Sequence, residues 1–212
     1  MTAYSREEEE QLEELKKWWQ KYRNHVIYGL LAGIVTIVGV RAWMVHQGNV
    51  AVSASNEYEQ LQLELAQGNA EAVLKRGAYI IDSYPRTPYA ALAAFALARE
   101  HVEQGDLPAA RARLQWVIDH AGQPEFVHLA RLRLGKLLLA MGEGAQALAL
   151  IEPVKPDAFG AEYAELKGDI YAETGQPDKA RQAYQQALGQ LGPAGDGRAL
   201  RIKLNDLGSP AG

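Results

Sequence analysis

The most distinctive hydrophobic pattern is an apolar run near the N-terminus, residues 26–45, in which Arg41 is the only charged side chain. A helix of this length, rising about 1.5 Å per residue, reaches about 30 Å, which is the thickness of a bilayer's hydrocarbon core. Arg41 lies four residues from the end of the run, where its long side chain can reach the headgroups. We therefore predict a transmembrane helix over residues 25–46.

Two other interpretations of this run are open. A buried helix of a soluble protein normally carries a polar stripe, and this run has none. A cleaved signal peptide would fit the small residues of "VSA" at 52–54. However, signal peptides have apolar cores of about 7–15 residues, shorter than this one, so the length favours a retained anchor.

Charges beside the run predict its orientation. Lys16, Lys17, Lys21 and Arg23 precede it, whereas the next base after Arg41 is at position 75. Positive residues concentrate on the cytoplasmic side of membrane helices. The N-terminus is therefore predicted in the cytoplasm and the C-terminal domain outside it.

Residues 1–24 form a charged leader with an apolar stripe. Leu12, Leu15, Trp19 and Tyr22 recur at helical spacing, which predicts an amphipathic helix that can lie on the inner leaflet or remain solvated. Within the span, Gly29 and Gly33 form a G-x-x-x-G pattern, the spacing at which two membrane helices approach closely. We predict a helix contact there, although glycine is frequent in membrane helices generally.

From residue 47 the pattern changes to amphipathic, alanine-rich helices that repeat. Glycine ends one helix, a few polar or small residues follow, and a second helix begins. The four copies are "AQGNAEAVLKRG", "EQGDLPAARARL", "AMGEGAQALALI" and "ETGQPDKARQAY", anchored on Gly68, Gly105, Gly142 and Gly175 at spacings of 37, 37 and 33 residues.

Small residues at matched positions predict close packing within each pair. They occur on the first helix at Ala98, Gly135 and Gly168, and on the second at Ala110, Ala147 and Ala180. Larger side chains, Leu114, Ile151 and Tyr184, are placed to fill the space between pairs. The pattern resembles the tetratricopeptide repeat, and residues 197–207 resemble the capping helix that a stacked array needs at its end.

The predicted fold class is therefore all-α. It consists of a single N-terminal transmembrane helix followed by a tetratricopeptide-repeat-like α-solenoid with a C-terminal capping helix. The repeat domain is predicted over residues 47–207, followed by a tail at 208–212.

Composition argues against several kinds of chemistry. The chain has no cysteine and a net charge of −4, and it lacks a basic block after residue 25, which disfavours thiol chemistry and nucleic-acid binding. No serine lies in a G-x-S-x-G motif, and the five histidines are scattered along the chain without a pattern typical of metal ligands. We predict no catalytic residue, no cofactor and no metal site, and so a protein that is not an enzyme.

Stacked repeats place the first helix of each pair on a concave surface, where a peptide segment or a partner's helix can bind. Its predicted lining is mostly apolar, with an acidic end. By repeat position it comprises Leu92, Phe95, Arg99, Val102, Leu129, Leu132, Lys136, Leu139, Glu165 and Asp169.

Three further stretches carry a resemblance across the whole chain. They are "VGVRAW" at the end of the span, "ASNEYEQ" at the start of the repeat helices and "LRIKLNDL" in the last helix. Together they resemble the YfgM-type ancillary subunits of the bacterial SecYEG translocon. The resemblance implies a single-pass inner-membrane protein with a periplasmic repeat domain, the translocon and a membrane-anchored prolyl-isomerase-like chaperone as partners, and contact with exported clients.

The predicted function is a non-enzymatic adaptor that links exported polypeptides to periplasmic chaperones through protein–protein contacts. The alternative is a regulatory membrane protein whose leader binds a cytoplasmic stress-response factor. Deleting residues 1–24 separates them, because translocon association survives the deletion under the first interpretation and regulatory output disappears under the second.

Overall fold

The computed structural model describes residues 4–192 and 195–208, without the side chains at 4–10, 26, 46 and 157. Within these residues the chain is helical and contains no strand, which confirms the predicted all-α class. A single 3₁₀ turn, Asp157–Phe159, precedes the seventh helix. The helices are α1 Tyr4–Ala66, α2 Ala70–Ser83, α3 Pro88–Glu103, α4 Leu107–His120, α5 Pro124–Ala140, α6 Gly144–Ile151, α7 Gly160–Glu173, α8 Pro177–Gln190 and α9 Arg198–Asp206.

The chain divides into two compact units, Met1–Val52 and Ser53–Gly212. In the first unit, the described side chains of the apolar run are all exposed. From Ile27 onward, α1 is long enough and apolar enough to cross a membrane. An apolar helix whose described side chains are exposed suits a lipid environment.

The second unit is built from helix pairs that turn on glycine. The four glycines at which the repeats were aligned all have a positive φ, the left-handed conformation in which a side chain is strained. Their φ angles confirm the turns: 69° at Gly68, 77° at Gly105, 76° at Gly142 and 72° at Gly175. Two of the following helices are capped by side chains, since Asn69 accepts from the Ala72 N–H and Asp106 from the Ala109 N–H.

Close packing of the helices, within a pair and between neighbouring pairs, depends on the missing side chain of glycine. A Cβ at Gly168 would collide with the ring of Tyr184, which crosses from α8. A Cβ at Gly135 would lie 2.7 Å from Leu166 Cδ2 on α7. The predicted small residues Ala110, Ala147 and Ala180 are likewise fully buried.

The core runs continuously from the end of α1 to α7. Leu61, Ile80, Leu97, Leu134 and Leu166 are fully buried or nearly so, and each contributes about 1.5–3 kcal/mol by leaving water. A second cluster joins α7, α8 and α9, in which Leu200 is buried among Ala164, Ala180, Tyr184 and Ala187. The helix α9 therefore caps the array, as the sequence predicts.

The predicted domain limits remain predictions. The structure divides the chain between residues 52 and 53. The predicted tail, 208–212, lies outside the described residues from 209 onward.

Candidate partner groove

An apolar groove of about 490 Å³ lies between α3 and α5, with α4 behind it. We call it the Phe95 groove. Its volume lies within the range of about 300–1,000 Å³ that is typical of ligand pockets. It is lined by Phe95, Ala98, Arg99, Val102, Glu103, Leu114, Arg133, Lys136, Leu137 and Ala140.

Helical periodicity brings these residues together. On α3, positions 95, 98, 99, 102 and 103 follow the i, i+3, i+4, i+7 and i+8 spacing of one helix face. On α5, positions 133, 136, 137 and 140 do the same. Two adjacent helices therefore present parallel stripes, and the space between the stripes forms the groove.

The floor is apolar and its aromatic ring is held in place. Phe95 is 7% exposed, and its ring packs edge-on against Phe126 with 6.1 Å between centroids. The guanidinium of Arg133 lies 4.7 Å from the centre of the same ring, at cation–π distance. Val102 is 46% exposed, so the floor offers apolar surface that no described residue covers.

The rim is basic. Arg99 Nε donates to Glu103 Oε1 at 2.7 Å, and this hydrogen bond raises the pKa of Arg99. Arg133 and Lys136 form no ion pair with a described carboxylate. The rim therefore carries three positive charges and one negative charge.

Of the predicted groove residues, Phe95, Arg99, Val102 and Lys136 line the Phe95 groove. The others on α3 and α5 lie elsewhere. Leu132 is buried in the core, and the half-buried Leu92, Leu129 and Leu139 lie outside the groove lining.

Repeat alignment missed Arg133, Leu137 and Ala140. The alignment assumed that the α5 residues of the groove lie at the same repeat positions as those of α3. In the structure, the α5 residues that line the groove lie about one residue further along the helix. Arg133, Leu137 and Ala140 share one helix face with Lys136 at i, i+3, i+4 and i+7 spacing, so the sequence pattern around Lys136 could have predicted them.

The predicted acidic end is paired within the chain. Lys203 Nζ on α9 donates to Glu165 Oε1 at 2.7 Å and to Asp169 Oδ1 at 2.6 Å. The Tyr184 hydroxyl also donates to Asp169, at 2.8 Å. Burial lowers the pKa of Lys203, but its hydrogen bonds to the two carboxylates outweigh burial and raise that pKa overall. Burial and the bond to Asp169 raise the pKa of Tyr184.

One histidine is structural. His128 is 8% exposed, stacks on Phe159 with 5.0 Å between centroids, and lies 3.0 Å through Nδ1 from the Tyr163 hydroxyl. Burial raises the pKa of Tyr163. In the described residues, no group of three or more histidine, aspartate or glutamate side chains is arranged to hold a metal ion.

The predicted membrane contact remains a prediction. Gly29 and Gly33 lie on α1 with open space where a Cβ would stand. A second helix can therefore approach the α1 backbone closely at these two positions.

Comparison with known proteins identifies the family of this chain. The family described as a tetratricopeptide repeat-like domain matches residues 16–209. This chain belongs to that family. The repeat-like domain thus accounts for nearly the whole sequence, including the Phe95 groove and the cap α9.

Curated relatives of the repeat-like chain share one name. This chain is 29% identical over 205 residues to the ancillary SecYEG translocon subunit of Haemophilus influenzae, and the match covers 97% of this chain and 100% of that protein. The protein of the same name from Escherichia coli is 23% identical, with 94% and 96% covered. That from Neisseria gonorrhoeae is 29% identical, with 95% and 97% covered. The resemblance to this group seen in the sequence is confirmed.

A solved structure supports the fold independently. The repeat-like domain superposes on the "MamA RS-1 ArsTM double mutant" with a TM-score of 0.53 at 18% identity, covering 73% of this chain and 93% of that one. At this identity the likeness concerns the fold alone.

Proposed function

We propose that this chain is a membrane-anchored, non-enzymatic adaptor of the Sec translocon that binds polypeptides through the Phe95 groove. The observation that carries the proposal is the near full-length match to proteins named as ancillary SecYEG translocon subunits. The family's repeat-like domain and the open apolar groove support a binding role.

The proposed topology has the leader in the cytoplasm, α1 across the inner membrane and the repeat domain in the periplasm. It is supported by the four bases at 16–23 and by the absence of Lys and Arg between Arg41 and Lys75. Retention of the anchor is supported by Ala54, which is fully buried and continuous with α1. N-terminal sequencing of the mature protein should therefore find no new N-terminus near Ser55.

We propose that the anchor keeps the chain in the same membrane as the translocon, and that the groove binds polypeptides. Because adaptor and translocon share one membrane, their effective concentration is high and weak contacts suffice. Contact with a periplasmic prolyl-isomerase-like chaperone is part of this proposal and rests on the resemblance described above.

The test is affinity purification of the full-length tagged chain from membranes in mild detergent. Val102→Asp places a charge on the exposed groove floor, and Leu63→Asp is the matched control because Leu63 is similarly exposed, at 53%, on α1. We expect Val102→Asp to keep the translocon but to reduce captured exported polypeptides about 10-fold, as the loss of about 1.4 kcal/mol of apolar contact implies.

Two results would contradict the proposal. If the wild-type chain brings down no translocon component, the adaptor role fails. If Val102→Asp captures as much polypeptide as Leu63→Asp, the groove is not the binding surface. Circular dichroism of both variants checks that the helices remain folded.

A further inference from the structure

The charge of the surface that is predicted to be concave changes sign along the repeats. Arg99, Lys136 and Asp169 occupy matched positions on α3, α5 and α7, separated by 37 and 33 residues. A partner lying along this surface would meet two bases and then an acid. The two ends of the surface differ, however, in whether their charges are already paired.

The acidic end is neutralised from within. Lys203 bridges Glu165 and Asp169 at 2.7 and 2.6 Å, and its side chain is 33% exposed. A basic segment of a partner would have to compete with this cation for both carboxylates. The acidic end is therefore a poor docking point for a basic ligand.

At the basic end, no described carboxylate from another helix pairs with the bases of the rim. Glu103 pairs with Arg99 on the same helix, and Arg133 lies over the Phe95 ring. Lys136 is exposed and forms no ion pair with any carboxylate in the described part of the chain. The apolar groove therefore has a positive rim although the whole chain carries a net charge of −4.

Positive rim and apolar floor are adjacent, because Lys136 and Leu137 are consecutive and Val102 follows Arg99 by three residues. We propose that the Phe95 groove selects polypeptide segments in which a large apolar side chain is flanked by Asp or Glu. This inference rests on the proposed function, in which the groove binds polypeptides. The apolar side chain fills the floor, while the carboxylate meets the charges of Lys136 and Arg133.

The experiment measures binding of fluorescent peptides to the full-length chain in detergent micelles by anisotropy. Three peptides share identical Leu and Ala positions and carry Glu, Gln or Lys at the remaining ones. We expect the Glu peptide to bind about 5- to 10-fold more tightly than the Lys peptide at low salt, since two exposed charge contacts change sign between them. The preference should shrink in 1 M salt, where the Debye length falls to about 3 Å.

Charge reversal on the rim provides the matched pair of variants. Lys136→Glu should abolish or invert the preference for the Glu peptide. Lys75→Glu makes the same change on the exposed face of α2, away from the groove, and should leave the preference intact. Circular dichroism establishes that both variants are folded.

The outcomes distinguish this inference from the proposed function. Equal binding of all three peptides, with all of it lost in Val102→Asp, would overturn charge selection while leaving the groove as a binding site. Binding that survives Val102→Asp would overturn the groove itself. Displacement of all three peptides by anionic lipid added to the micelles, but not by neutral lipid, together with equal binding of the three peptides, would show that the rim recognises a membrane surface and would overturn the inference.

Discussion

The contact between α9 and α7 gives the sharpest prediction about stability. Replacing Lys203 with Met keeps most of the side chain's length but removes the cation that bridges Glu165 and Asp169. The two carboxylates, four residues apart on α7, are then left facing each other, and like charges at this spacing repel. The cap should be weakened without the loss of its apolar contacts.

The expected cost follows from the exposure of the three side chains, which is 33% for Lys203, 30% for Glu165 and 21% for Asp169. Exposed ion pairs contribute about 0.2–1 kcal/mol each, and removing one partner of a buried pair costs about 3–5 kcal/mol. This half-buried site lies between these limits, so we expect a loss of about 2 kcal/mol. For a domain of this size that corresponds to a fall in Tm of about 4–8 °C.

The assay is thermal unfolding of the full-length chain in detergent, followed by circular dichroism at neutral pH. Lys75→Met is the control, because Lys75 is exposed on α2, and it should shift Tm by about 1 °C or less. Adding Glu165→Gln to Lys203→Met should recover part of the loss, since it relieves the repulsion with Asp169. A Tm for Lys203→Met within 1 °C of the wild type would show that the bridge does not stabilise the cap.

Three further predictions concern the packing and its pH dependence. Gly168→Ala should destabilise the domain by about 1 kcal/mol net, because overpacking against Tyr184 exceeds the gain in helix propensity, whereas Gly189→Ala, which meets open space, should not destabilise it. Gly105→Ala should cost about 1–2 kcal/mol, since φ is 77° there. The pKa of Lys203 is raised on folding, so its stabilising effect is present below its ordinary value of 10.5 and lost as pH rises through the raised value. The Tm difference between wild type and Lys203→Met should therefore disappear in strongly alkaline buffer, and all three effects are measurable by thermal unfolding.

The sequence was sufficient for the fold because its decisive signals are local. Gly105 and Gly142 have a positive φ, a backbone conformation that few other residues adopt, and glycine at such positions indicates the end of a helix. The regular recurrence of these glycines indicates the repeat. The apolar run of α1 and the short amphipathic helix α9 are equally local patterns. Each was therefore predictable without knowledge of distant contacts.

The groove was only partly predictable because it depends on contacts between distant residues. Lys203 lies 38 residues from Glu165, and nothing in the local pattern of α7 indicates that a cation from α9 will pair with it. In the same way, repeat spacing does not determine the rotation of α5 against α3. Leu132 and Leu137 are both buried, but only Leu137 lines the groove. Such details are settled by side-chain packing between helices rather than by periodicity.

We propose that the Phe95 groove contacts polypeptides at the translocon, and site-specific photo-cross-linking in exporting membranes detects such contacts. A photoreactive residue is placed at Val102 on the groove floor and, in a separate variant, at the similarly exposed Leu63. From this proposal we expect adducts with exported chains at Val102 and few at Leu63. Equal adducts from both positions, or none from Val102 while export proceeds, would contradict it.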